Sequence, residues 1–171
     1  MDEFNEAMFK TKVDNIFVKL FTSIMKGNLD DVKHFINSNV ESKYQAYIDT
    51  LTKNNERQMY DELNVKNTRI LNRREVEDKE VVEVEIISRY MDYVIDMDTG
   101  ETIKGDDTRR IEKRNILVFE KNNNTKDIKL VRKCPGCGAS ISVNTNGKCE
   151  YCGTVYNLED YDYILTDIQT F

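Results

Sequence analysis

All four cysteines of the chain stand in two Cys-x-x-Cys couplets near its C-terminal end. The first couplet is Cys134 and Cys137, the second is Cys149 and Cys152, and a glycine follows each couplet. A two-residue gap places two thiolates on one tight turn, and two such turns supply four sulfurs in the tetrahedral arrangement of a structural Zn²⁺ site. Because four protein sulfurs leave no open coordination position, we expect this zinc to be structural rather than catalytic.

Two disulfides, a redox-active couplet and an iron site are the alternatives to zinc. Nothing at the N-terminus resembles a signal peptide, so we expect a cytoplasmic chain, in which paired couplets are metal ligands more often than disulfides. A thioredoxin-like redox pair needs one couplet in a β-α-β setting that the sequence lacks. Iron can occupy the same sulfurs, and zinc is the preferred interpretation.

Length and charge limit the classes of protein to which the chain can belong. Its 171 residues fit one domain with a small appendage, and we divide them into a main domain (1–131), a zinc ribbon (132–158) and a tail (159–171) that returns to the main domain. The net charge of −6 argues against a general nucleic-acid binder, which needs a basic surface. No apolar run approaches the roughly 18 residues of a transmembrane helix, so we expect any membrane contact to be peripheral or through a partner.

Hydrophobic periodicity predicts three helices in the first third of the chain. Apolar residues at three- and four-residue steps indicate a first helix from Phe4 to Met25. A short second helix is expected after Asn28 as N-cap, and a third after the capping-box residue Ser38.

Two-residue alternation of β-branched residues then predicts strands over 65–76, 80–97, 108–121 and 128–132. The apolar phase of the second strand shifts at Ile86 and Ile87, which predicts a β-bulge that bends it. The tail from Tyr161 to Phe171 is expected to form a last strand of the main sheet, with a helix as the alternative.

These elements predict an α+β fold in which three N-terminal helices pack on a long, bent antiparallel sheet, with a small zinc ribbon attached. Helices that cover the concave face of such a sheet tend to enclose a pocket. We expect its lining to include Tyr90, Met91, Asp92, Tyr93 and Glu112. Aromatic and methionine side chains adapt to apolar ligands, so an apolar small molecule, a lipid or a peptide is the expected occupant.

Five short segments carry a resemblance to a known family. They read Met-Tyr-Asp-Glu-Leu-Asn-Val from Met59, Ser-Arg-Tyr-Met-Asp-Tyr from Ser88, Asp-Thr-Gly from Asp98, Leu-Val-Phe-Glu-Lys from Leu117 and Asp-Tyr-Asp-Tyr from Asp160. With the two couplets, they resemble bacterial zinc-ribbon proteins that contain a Tim44-like domain, which is related to the C-terminal part of a mitochondrial inner-membrane import subunit. The resemblance implies the cone-shaped fold of the nuclear-transport-factor-two superfamily, the four cysteines as zinc ligands, and a membrane-associated or transport-related binding role.

The resemblance brings no catalytic signature, and a non-enzymatic binding or scaffold module is therefore the preferred function. The alternative is a small isomerase or hydrolase-like enzyme in which Asp92 or Glu112, with a pKa raised by an apolar wall, acts as base. Cross-strand ion pairs, such as Arg89 with Glu112 or Asp92 with Arg114, are the plainer account of these charges. A nucleic-acid-binding zinc ribbon ranks third.

Partners are suggested by charge and by the fold. A basic stretch contains Arg109, Arg110, Lys113 and Arg114, and it could meet an anionic membrane surface or an acidic protein, although alternation divides these charges between two faces. A homodimer through the sheet is also open. The single histidine, His34, is expected to have a structural or surface role, with proton transfer as the alternative.

Native mass spectrometry of the purified chain is expected to show one Zn²⁺ per polypeptide, because four thiolates at this spacing bind zinc tightly. Removal of the ion by a chelator should unfold the C-terminal quarter and leave the helices folded, since a ribbon of about 25 residues has too small an apolar core to fold without metal. Circular dichroism and limited proteolysis measure the two parts. A chain without metal, or one lighter by four hydrogens through oxidation, would contradict the zinc site.

Overall fold

The structure is a computed structural model that describes residues 4–123 and 163–171, together with the backbone of residues 132–133 and 140–141. The helices are α1 (Glu6–Lys26), a 3₁₀ turn (Lys33–Phe35) and α2 (Ser38–Lys53). The strands are β1 (Glu56–Val76), β2 (Lys79–Asp96), β3 (Thr102–Gly105), β4 (Ile111–Asn122), β5 (Arg132–Lys133), β6 (Ser140–Ile141) and β7 (Ile164–Thr170).

An antiparallel sheet of five strands forms the main body, which confirms the mixed α+β fold. Its strand order is β1-β2-β4-β7, and β3 pairs with the last part of β2. The expected strand in the tail is present, because β7 pairs antiparallel with β4 from Asn115 opposite Thr170 to Glu120 opposite Ile164.

Helix α1 covers one face of this sheet, which we call the inner face. Its predicted apolar stripe is buried and consists of Phe9, Val13, Ile16, Phe17, Leu20, Phe21 and Ile24. These side chains share one core with Val84 and Ile86 of β2 and with Leu117 and Phe119 of β4. Burial of each large apolar side chain contributes about 2 kcal/mol. The inner face beneath α1 is thus filled by side chains, and the apolar pocket expected there is not formed by the described residues.

The expected second helix is reduced to the single 3₁₀ turn, so the described residues contain two α-helices rather than three. Asn28 accepts a hydrogen bond from the Asp30 amide, at 3.2 Å, in a turn and does not cap a helix. Ile36 is extended and forms a parallel bridge with Leu165 of β7. Because pairing with β7 requires extended backbone at Ile36, a helix through this residue is excluded.

The N-cap of α2 is Asn37 rather than Ser38. The Asn37 side chain accepts a hydrogen bond from the Val40 amide at 3.0 Å, which satisfies a backbone donor of the first turn. The same residue also donates its backbone N–H to Leu165 O at 2.9 Å. The start of α2 is therefore fixed by the same connection that pairs Ile36 with the sheet.

The predicted bulge in β2 is wrong, because β2 pairs with β4 without a register shift through Ile86 and Ile87. Three register shifts lie in the pairing of β1 with β2, and in each of them β1 carries one extra residue. A further shift of β2, in its pairing with β3, lies between Val94 and Ile95. Ser88 is the source of the error. It is fully buried between Ile86 and Tyr90 on the inner face, although it is polar. A pattern that counts only apolar residues therefore misses this inward position and assigns the residues after it to the wrong face of the strand.

The four predicted zinc ligands lie outside the described residues. Strands β5 and β6 pair antiparallel, with Arg132 opposite Ile141 and Lys133 opposite Ser140. Of the predicted strand 128–132, only Arg132 is described. The bounds of the ribbon stay a prediction.

Gly27 ends α1 in a left-handed conformation with φ of 83°, which a glycine adopts without strain. The guanidinium of Arg57 lies against it and donates a hydrogen bond from Nη1 to Met25 O at 3.1 Å. A Cβ on Gly27 would lie 2.6 Å from Arg57 Cζ. The positive charge of Arg57 thus reaches the carbonyl end of α1 only because this position has no side chain.

Gly27→Ala is expected to lower the free energy of unfolding by about 2 kcal/mol, the sum of left-handed backbone strain and loss of the Arg57 hydrogen bond. Gly100→Ala is the matched control, because Gly100 has φ of 74° but an added Cβ there would have no described atom within 4 Å, and we expect a loss of about 1 kcal/mol. Urea unfolding measures both variants. Equal losses would show that the Arg57 contact contributes nothing.

Candidate functional site

A cavity of about 320 Å³ lies at the end of the sheet where α2 crosses β1 and β2. Its lining comes from α2, β1, β2 and β3 and consists of Tyr47, Gln58, Asp92, Tyr93, Val94, Lys104 and Gly105. We call it the Tyr47 cavity. Its size is at the lower end of the range for small-molecule sites, which suits a single functional group with a short tail.

Gln58 organises the polar side of the cavity. It is 4% exposed, and its Oε1 accepts a hydrogen bond from the Tyr47 hydroxyl at 2.6 Å. Its Nε2 donates to Asp92 Oδ1 at 2.7 Å and to Met59 O at 2.8 Å, with Tyr93 O at 3.1 Å. Since each of these three neighbours of Nε2 is an acceptor, the amide has one orientation. The Tyr47 hydroxyl is therefore the donor in its contact with Gln58.

Strand β3 borders the cavity through a close backbone approach at Gly105. Gly105 lies opposite Tyr93, and a Cβ at this position would lie 2.2 Å from Asp92 O. The next amide, that of Asp106, donates to the same Asp92 oxygen at 3.1 Å. Only a glycine permits this approach, which brings the adjacent Lys104 to the cavity.

Aromatic rings lie behind the cavity. The ring of Tyr60 is 5.3 Å from that of Tyr90 and 4.4 Å from that of Phe21. Burial raises the pKa of Tyr60 and Tyr90, and the nearby Asp92 adds to the effect at both. Burial, with a smaller contribution from Asp167, raises the pKa of Tyr44 to about 12. These phenols therefore stay neutral throughout the physiological range.

The structure divides the five residues predicted to line a pocket. Asp92 and Tyr93 lie at the Tyr47 cavity, whereas Tyr90 is 2% exposed and belongs to the core. Met91 lies opposite Asp61 and alternates to the outer face of the sheet. The prediction for Glu112 is wrong, because its side chain is 56% exposed and pairs with Lys66 at 3.1 Å. Side chains alternate between the two faces of a sheet, and Glu112 lies on the face opposite to that of Tyr90, so the two cannot line one pocket.

Charged residues on neighbouring strands do form ion pairs, as predicted, but the partners differ from those proposed from the sequence. Asp92 accepts from Gln58 instead of Arg114. Arg114 contacts Glu85 at 2.6 Å, and Glu85 also contacts Arg69 at 3.2 Å. The hydrogen bond from Arg114 is the largest of the effects that lower the pKa of Glu85.

Part of the predicted basic stretch is neutralised within the molecule. Arg110 pairs with Glu62 at 3.7 Å, and Arg114 with Glu85 as above. Surface pairs of this kind contribute little to stability, but they reduce the positive potential that an anionic surface would meet. His34 lies in the 3₁₀ turn and is partly buried.

Five residues of the cavity were not predicted from the sequence, namely Tyr47, Gln58, Val94, Lys104 and Gly105. Nothing in the local pattern distinguishes them as a site, because they come from four elements that only the fold brings together. The one available signal was Gly105, a glycine beside the acidic turn residues that follow β3.

The model of the Tim44-like domain family matches residues 1–132. The chain belongs to this family. The match includes α1, α2, β1 to β4 and every residue of the Tyr47 cavity, and it ends where the predicted ribbon begins. A search of curated proteins finds no match.

The described part of this Tim44-like chain has neither a membrane-spanning helix nor a cluster of metal ligands. Within residues 4–123 and 163–171, no helix combines the length and the apolar character needed to cross a membrane. The same residues contain no group of three or more histidine, cysteine or acidic side chains that could hold a metal ion. The four cysteines are not among them.

The free energy of unfolding is expected to fall as the pH rises above about 10, the ordinary pKa of tyrosine. Folded Tyr44, Tyr60 and Tyr90 have raised pKa values, so between about pH 10 and 12 the unfolded chain binds fewer protons than the folded chain. The stabilisation from these groups is complete below pH 10 and is lost above it. Urea unfolding at several pH values should show a smaller fall for Tyr60→Phe than for the wild type; an identical fall would contradict this origin.

Proposed function

We propose that this Tim44-like domain is a non-enzymatic binding module and that the Tyr47 cavity is its ligand site. The observation that carries the proposal is the preformed polar side of the cavity, where the Gln58 amide fixes Tyr47 and Asp92 in place. Binding sites of small ligands combine an apolar lining with a few fixed polar groups. Val94, with 5% exposure, and the ring of Tyr47 supply the apolar part here.

The packing of the inner face supports this location over a lipid-sized pocket between helix and sheet. The α1 side chains Val13, Phe17 and Leu20 have no exposed surface, and neither do Val84 and Leu117 of the sheet. A lipid tail would have to displace this core, at a cost of about 2 kcal/mol for each large side chain exposed. A ligand at the open end of the sheet would displace none of these core side chains.

A structural zinc ion in the C-terminal region belongs to the proposal. Cys134, Cys137, Cys149 and Cys152 are a complete set of soft ligands, which suits zinc and leaves no position for a substrate. Zinc supplies fold stability there and no step of chemistry.

We also propose that any association with a membrane is peripheral and goes through a protein partner. The family resemblance supports a transport-related setting, and the net charge of −6 with paired arginines on the outer face disfavours direct attraction to anionic lipids. Flotation with anionic vesicles at low salt tests this view. Strong binding of the isolated chain to the vesicles would contradict it.

A fragment screen by nuclear magnetic resonance tests the binding site. We expect ligands to shift the backbone amides of Lys104 and Gly105 in the wild type and not in Val94→Phe, whose larger side chain fills the cavity. Ile95→Phe is the matched control, because the next residue of β2 points to the other face and should leave binding unchanged. The proposal fails if no fragment shifts these amides, or if Val94→Phe binds as well as the wild type.

A further inference from the structure

Hydrogen-bonding capacity decides which ligand the Tyr47 cavity accepts. The Tyr47 hydroxyl donates its only proton to Gln58, so its oxygen can only accept from a ligand. Asp92 Oδ1 accepts from Gln58, and the described residues give Oδ2 no donor. Two acceptors held in fixed positions favour a ligand that carries several N–H donors.

Most charges of the segment that carries Asp92 and Lys104 are negative. Residues 91–107, which form the end of β2, the following turn and β3, contain six carboxylates and one lysine. Some of these carboxylates have fixed partners, as Asp96 accepts from the amides of Asp98 and Thr99, and they keep their negative charge in these contacts. Their summed field attracts cations to this end of the molecule.

Aromatic surface adds to the attraction. Tyr47 is 37% exposed and lines the cavity, so part of its aromatic side chain is accessible to a ligand. Cations bind over the faces of aromatic rings through the ring quadrupole. An anionic ligand would gain nothing from the ring and would be repelled by Asp92.

Lys104 is the one cation among the described residues that line the cavity. It is exposed, and the described part of the chain gives it no ion pair. Its side chain stands on the edge strand β3, from which the ammonium can extend into solvent. Lys104 therefore weakens the negative field at the cavity without occupying Asp92 Oδ2.

We propose that the Tyr47 cavity binds an organic cation, an ammonium or guanidinium group on a short tail, with Asp92 Oδ2 and Tyr47 Oη as acceptors. The proposal rests on the proposed function and adds the chemical class of the ligand. The group belongs either to a free amine or to a lysine or arginine side chain of a peptide. A volume of about 320 Å³ accepts either of them.

Four probes with short unbranched alkyl tails test the class of ligand: butylamine, butylguanidine, butanol and butyrate. Titration is followed through the amides of Lys104 and Gly105, and we expect the two cations to bind more tightly than the alcohol or the acid. Binding should weaken as salt is added, because the attraction is electrostatic. A blocked Lys-Arg-Lys tripeptide forms a further arm. Tighter binding of the tripeptide would assign the cation to a peptide side chain, and tighter binding of butylamine would assign it to a free amine. Either order supports a cation site.

Variants assign the contacts. Asp92→Asn keeps an oxygen that accepts from Gln58 and removes the negative charge. We therefore expect butylguanidine to bind to this variant about tenfold more weakly than to the wild type. Asp61→Asn is the matched control: Asp61 lies on the outer face and accepts from the Tyr93 hydroxyl at 3.2 Å, and its loss should change affinity by less than about twofold. Lys104→Gln should strengthen binding by about two- to threefold, since it removes a like charge.

The outcomes separate this inference from the proposed function. Equal affinity of the wild type and Asp92→Asn for butylguanidine, or tighter binding of butyrate than of butylguanidine, overturns the cation site. The cation site alone also fails if no probe shifts the amides while other fragments occupy the cavity and are blocked by Val94→Phe. If neither the fragments nor the four probes shift the amides of Lys104 and Gly105, both proposals are overturned.

Discussion

Packing of the α1 stripe against the inner face of the sheet is the interaction on which the rest of the structure depends. Phe9 lies edge-on to Phe119 at 5.8 Å, and Phe21 lies edge-on to Tyr90 at 5.7 Å, so the helix contacts the sheet near both of its own ends. Because these contacts fill the middle of the inner face, free volume remains at the end of the sheet. The position of the Tyr47 cavity is thus a consequence of how completely α1 is buried.

The three bulges of β1 allow a strand of this length to keep one face toward that core. Gln58 and Tyr60 point inward, and after the first extra residue the inward positions move to Leu63 and Val65. Each bulge reverses the alternation, and Glu62 at the first of them has φ of 55°. The strand follows the curvature of the core instead of separating from it, and its first residues bring Gln58 beneath α2.

Features with a local signature are predictable from this sequence, and features set by pairing are not. The stripe of α1 has the period of a helix, which the sequence alone shows. The segment from Glu56 to Asn64 is too polar to indicate a strand, and it becomes one because the end of β2 pairs with it. The cavity shows the same limit: Asp92 is a candidate from the sequence, whereas Gln58, the residue that orients it, is 34 positions away. The zinc couplets have a purely local signature, which is why they can be predicted without any knowledge of the sheet.

The pairing of β7 with β4 has a consequence for the residues between them. Glu120 lies opposite Ile164, so the strands that lead into and out of the long connection between β4 and β7 are neighbours in the sheet. The entropy of closing a loop grows only with the logarithm of its length, so lengthening or shortening this connection changes the stability of the sheet little. The chain thus carries its cysteine-rich segment as an insertion within one pair of neighbouring strands, where sequence can be added or removed while the hydrogen-bonded partners on either side stay the same.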